Sequence, residues 1–98
     1  MNRILIRDVI NSTLADDDVK GELVFRQIKQ QSSKNRNLVL DFDGIELVNT
    51  AFLNDAIGRL FDSNSFDLSE YPVKIANMNQ SMRDLLLETI KVARSTYQ

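Results

Sequence analysis

The chain has 98 residues, a net charge of −2, and neither cysteine nor histidine, which bounds it to one domain over residues 1–98, large enough to fold without metals or disulfides. Disulfides, thiolate nucleophiles, Ser-His-Asp or Cys-His machinery and an ordinary zinc site are all excluded. Lys and Arg look dispersed along the chain, which argues against nucleic acid as the main partner, and no apolar run approaches the roughly 18 residues of a membrane span.

Arg3–Arg7 reads as a strand running on toward Val9 and Ile10, with a continuous apolar centre that predicts cover on both faces. Asn11-Ser-Thr is a loop. Asp16, Asp17 and Asp18 form a capping cluster for a helix over Val19–Gln31, because carboxylates favour the positive end of the helix. Gly21, Val24, Phe25 and Ile28, spaced i, i+3, i+4, i+7, supply its buried stripe.

Leu38–Phe42 is a second buried strand, left through an Asp43-Gly44 turn. Leu53, Ala56, Ile57, Leu60 and Phe61 recur at helical spacing, which sets a second helix at Ala51–Phe61. Residues 62–72 are a long polar connection closed by Pro72. Val73–Met78 is a third strand. A last helix follows, capped by Asn79 or Ser81, with Ser81 and Asp84 spaced as a capping box and Met82, Leu85, Leu86, Ile90 and Ala93 buried. Its final residues, from Arg94, are expected to fray. Leu87 falls at a phase that leaves it exposed. Met78, Met82, Phe25, Phe52 and Phe61 read as core, and Arg59, Lys91 and Arg94 as solvated.

The order β-α-β-α-β-α predicts a small α/β layered domain with a mixed, mostly parallel sheet and helices packed on it. No segment suggests a cofactor or metal site. Met1–Arg7 lacks a signal-peptide core, so a cytoplasmic protein is expected.

Chemistry concentrates between Leu38 and Leu60. Asp41-Phe-Asp43-Gly44-Ile45 after a strand is similar to the first motif of haloacid-dehalogenase-type phosphatases, in which the first Asp is the nucleophile and the second an acid–base. That chemistry needs a magnesium site completed by later acidic residues, and Asn77-Met78-Asn79 stands where an acidic pair would be required. A phosphatase or phosphotransferase using Asp41 and Asp43 is therefore the alternative reading. The simpler role of Asp41 is a hydrogen-bonded carboxylate bracing the next loop. Asn49 or Thr50 caps the following helix. The same geometry would let a phosphate on Thr50 sit at a helix N-terminus, beside Asp41, Asp43 and Glu46.

The Leu40-Asp-Phe-Asp-Gly-Ile45 stretch and the run Ala51-Phe52-Leu53-Asn54-Asp55 together resemble the STAS-like domain family, small relatives of anti-sigma-factor antagonists. The resemblance is densest from Arg36 to Asn79 and implies a non-catalytic regulatory module that docks its strand–loop–helix junction onto another protein. On it, Asn49-Thr50 aligns with an Asp-Ser or Asp-Thr pair carrying the phospho-acceptor. Two departures stand out: Asn49 replaces Asp, and Ala51 lacks a hydroxyl found in many relatives. The resemblance implies a partner among histidine-kinase-like ATPases, with Asp41, Asp43, Glu46, Asn49, Thr50, Ala51, Asn54 and Asp55 as the docking surface. Protein partners are expected, including a homo-oligomer, and neither nucleic acid nor membrane.

Overall fold

The computed structural model describes residues 2–97. Strand β1 covers Arg3–Leu5, and helix α1 follows at once over Ile6–Ile10. The apolar run predicts a strand reaching Ile10; the chain turns helical at Ile6 instead, because Ile6 and Ile10, one turn apart, both bury themselves on one side. Asn11 closes the turn in the left-handed conformation, at φ 53°, which Asn tolerates better than most residues. Strand β2, Leu14–Ala15, then pairs in parallel with β4, Leu47–Val48. Two-residue strands carry no periodicity, and the sequence gives no sign of this second small sheet.

Helix α2 spans Asp18–Ser32 and is capped by Asp17, whose carboxylate accepts the Lys20 amide at 2.7 Å. Its buried side is the predicted one: Gly21, Val24, Phe25 and Ile28. Gly21 is where helix α3, Thr50–Ala56, comes closest, since a Cβ there would lie 2.5 Å from the Phe52 carbonyl oxygen. Helix α3 was predicted to run unbroken to Phe61. The backbone leaves helical geometry at Ile57, φ −121°, and resumes as a 3-10 turn over Gly58–Phe61. Leu53, Ala56, Ile57 and Leu60 are buried as expected, while Phe61 is only half-buried.

Strand β3, Leu38–Asp41, lies between β1 and β5, Val73–Ala76, and both pairings are parallel. Ile4, Leu40 and Ile75 stand in register across the sheet, with Ile4 and Leu40 buried in the core. The neighbouring row, Arg3, Val39 and Lys74, is exposed or half-exposed. The sheet is thus buried on one face, not on both. Each strand is three or four residues long and offers about two side chains to a face. Val73 and Ile75 border a cleft with Ile57, Leu60, Leu86 and Ile90, so the helices gather on that side.

Phe42 and Phe52 meet edge to face, ring centroids 6.4 Å apart, and tie the end of β3 to α3. The connection over residues 62–72 folds on its own carboxylates, Asp62 accepting the Asn64 amide and Asp67 that of Ser69, around a buried Phe66. Strand β5 ends two residues before the predicted Met78 because Asn77 turns left-handed at φ 63°. The last helix, α4, covers Gln80–Tyr97. Asn79 caps it by accepting the Met82 amide at 2.8 Å. With that bond made, the Ser81–Asp84 box does not form, and Asp84 accepts the Gln80 side chain instead. The helix continues to Tyr97 rather than fraying at Arg94, with Ala93 buried beneath it.

Candidate functional site

Helix α3 begins at a cap that also ties two loops together. The Asn49 side chain accepts the Phe52 amide at 3.0 Å, and its Nδ2 donates to the Asp16 carbonyl at 2.7 Å. One residue therefore satisfies a free helical donor and a loop acceptor. Thr50, next along, is exposed, and its hydroxyl is not needed for the cap. Of the two candidate caps, Asn49 is the one the chain uses.

Asp41 ends β3 with only 6% of its surface exposed. Asn77 Nδ2 donates to its Oδ1 at 2.7 Å, Arg3 donates to Oδ2 at 2.8 Å, and the Asp43 amide closes the set at 2.9 Å. The Asn77 bond, aided by the Asp43 amide and by Arg3, holds the carboxyl below the usual Asp range against the opposing effect of burial. Asp41 accordingly braces the turn that follows. In that turn Gly44 adopts φ 80° under the Arg7 side chain, which a Cβ would approach to 2.5 Å.

Glu46, Thr50, Asn54 and Asp55 distribute along one flank of α4. Glu46 lies at a cleft of about 340 Å³ with Leu47, Val48, Met82 and Leu85, its carboxylate accepting the Thr13 hydroxyl at 2.5 Å. Thr50 and Asn54 face Leu85, Glu88 and Val92 across a smaller cleft of about 110 Å³. Asn54 and Asp55 border a third, of about 220 Å³, with Arg59, Val92 and Tyr97. Asp43 and Ala51 are exposed but line none of these clefts, and Asp41 is buried apart from them.

Several contributors escape a reading of the sequence. Leu47 and Val92 are exposed apolar residues on this flank, and the seven-residue spacing of Leu85 and Val92 is the signal that could have found Val92. Arg3, at the start of β1, and Asn77, just past the end of β5, hold Asp41 from positions remote in sequence. Arg59 is not simply solvated: it donates to both Glu22 carboxylate oxygens, at 2.8 and 3.0 Å, with its guanidinium 4.1 Å from the Phe25 ring centroid. Leu87 is 63% exposed, as its helical phase predicts.

A protein family described as a STAS-like domain of unknown function, DUF4325, matches residues 20–83. The chain belongs to this STAS-like family. The matched span takes in most of α2, all of β3, α3 and β5 and the start of α4, and with them every candidate position from Asp41 to Asp55. The parallel α/β architecture is that expected of a STAS-like domain. Comparison of this STAS-like chain with curated proteins and with solved structures gave no match. Among its described residues, no helix is long and apolar enough to cross a membrane.

Proposed function

We propose that this STAS-like domain is a non-catalytic, regulatory protein-interaction module whose docking surface is the α3 entrance and the flank of α4 beside it. The observation that carries the reading is the division of labour at Asn49 and Thr50. Because Asn49 makes the capping bond, the Thr50 hydroxyl is exposed and dispensable to the fold, as a modifiable group at an interface must be. A phosphate there would bring nearly two negative charges to a cleft already bordered by Glu88. An interface tuned to the neutral hydroxyl would be weakened while the helix stays folded. The partner is a histidine-kinase-like ATPase that both binds the module and phosphorylates Thr50, in a partner-switching circuit. The engagement of Asp41 by Asn77, Arg3 and the Asp43 amide supports a bracing carboxylate over a phosphatase nucleophile.

The test pairs the protein with such an ATPase from the same organism. Incubation with ATP should transfer phosphate to the native chain and not to Thr50→Ala. In titration Thr50→Glu should bind the ATPase appreciably more weakly than Thr50→Ala, with both variants as well folded as the native chain. Equal affinities would reduce Thr50 to an ordinary surface residue.

A further inference from the structure

Helix α4 is divided lengthwise by charge. Arg83, Leu87, Lys91 and Arg94, spaced i, i+4, i+8, i+11, fall within about 80° of arc and extend over about 16 Å. All four are exposed, Leu87 by 63%. Asp84, Glu88 and Val92 occupy the adjacent arc, and Glu88 and Val92 face Thr50 and Asn54. Residues that look scattered in the sequence are thus gathered by the helix into a basic stripe on one side and an acidic one on the other.

Two observations mark the basic stripe as a surface awaiting a counterpart. Among the described residues Arg7, Lys29, Lys34, Lys74, Arg83, Lys91 and Arg94 take part in no ion pair, and of these Arg83, Lys91 and Arg94 stand together with Leu87 along one face of one helix. Beside the stripe, a cleft of about 290 Å³ opens between the edge strand β5 and α4, lined by Ile75, Met78, Leu86 and Leu87, with Arg83 at its lip. Arg83 is held there by its Nε, which donates to the Met78 carbonyl at 3.2 Å.

We infer that this face, separate from the Thr50 surface, binds an acidic amphipathic segment of a partner protein. One large apolar side chain of that segment would cover Leu87 and enter the cleft, and carboxylates on either side would pair with Arg83, Lys91 and Arg94. The chemistry favours this occupant over two others. A nucleic acid would set its phosphates against an apolar centre and close to Asp84 and Glu88, with three cations to hold it. A second copy packed antiparallel across a two-fold axis would bring the basic stripe onto itself, with Leu87 as the one apolar residue at the contact.

The test uses a synthetic helical peptide of 16 residues with Glu at the spacing of the three cations and a central Leu, titrated into isotopically labelled protein and followed by backbone NMR shifts, the length being about that of the stripe. Shifts should centre on Arg83–Arg94 and on Ile75–Met78. Reversing Lys91 and Arg94 together to Glu should weaken binding by about tenfold or more, and Leu87→Ser should weaken it too, while Glu88→Lys should not. All four positions are exposed, and circular dichroism of each variant checks the fold. Undiminished binding by Lys91→Glu/Arg94→Glu, or shifts confined to the Thr50 flank, would overturn the inference. Tighter binding of a single-stranded oligothymidylate through the same residues would replace it with a nucleic-acid site. Self-association abolished by Lys91→Glu would replace it with a contact between copies.

Discussion

Asn77 donates a 2.7 Å hydrogen bond to Asp41 from a residue at φ 63°, so one side chain that accepts a left-handed backbone also satisfies a buried carboxylate. Asn77→Gly should keep the backbone and lose the bond, while Asn77→Ala loses both. The expected cost is about 1 kcal/mol for Gly and about 2 kcal/mol for Ala. Urea unfolding of the two variants measures the order, and a Gly variant less stable than the Ala variant would refute the assignment.

Asp41 also sets an acid sensitivity. Its folded pKa lies below the ordinary Asp value, chiefly through Asn77, so its stabilisation is fully present above the unfolded pKa of about 3.9 and is lost as pH falls through the folded value. Asp41→Asn should therefore be less stable than the native chain at neutral pH. The gap between them should narrow in acid below pH ~4. Unfolding both proteins across that range checks the sign; a gap independent of pH would mean that the charge of Asp41 contributes nothing.

Gly21 faces the Phe52 carbonyl and the Asp55 Cβ, which a methyl group would approach to 2.5 and 2.9 Å. Ala is the better helix former by about 1 kcal/mol, but overpacking costs about 1–3 kcal/mol. Gly21→Ala should come out destabilised, by about 1 kcal/mol, with α3 displaced. A rise in melting temperature would show that the two helices can part freely.

Asn49 and Thr50 should respond very differently to the same truncation. Asn49→Ala removes a cap and leaves the Asp16 carbonyl without its donor, at a cost of about 1–2 kcal/mol. Thr50→Ala should stay within about 0.5 kcal/mol of the native chain. Equal losses at the two positions would return Thr50 to the cap.

Elements long enough to repeat a period were legible in the sequence, and the short ones were not. The stripes of α2 and α4 and the apolar run of β3 located those elements to within a residue or two at most boundaries. Helix α1 was mistaken for strand because Ile4, Leu5, Ile6, Val9 and Ile10 satisfy both patterns over so few residues. The break at Ile57 left the buried spacing intact, so nothing in the pattern announced it. At the candidate site, the capping residues could be narrowed to Asn49 and Thr50 from type alone, and the Phe52 amide, which donates to the Asn49 side chain, decided between them. Asn77 and Arg3 became partners of Asp41 only through the pairing of three strands, a relation that spacing cannot encode.

The shared central strand also shapes how the chain can fold. β1 reaches β3 and β3 reaches β5 across crossovers of nearly equal length, Arg3 to Val39 and Leu38 to Val73. Loop-closure entropy varies slowly with length, so neither pairing gains a head start from chain length alone. Local structure breaks the tie. The first crossover carries the fifteen-residue α2, whereas the second carries the seven-residue α3 and a long run of turns. With more of its path already helical, the N-terminal half is the one placed to close first, and β5 with α4 then completes a sheet whose centre already exists.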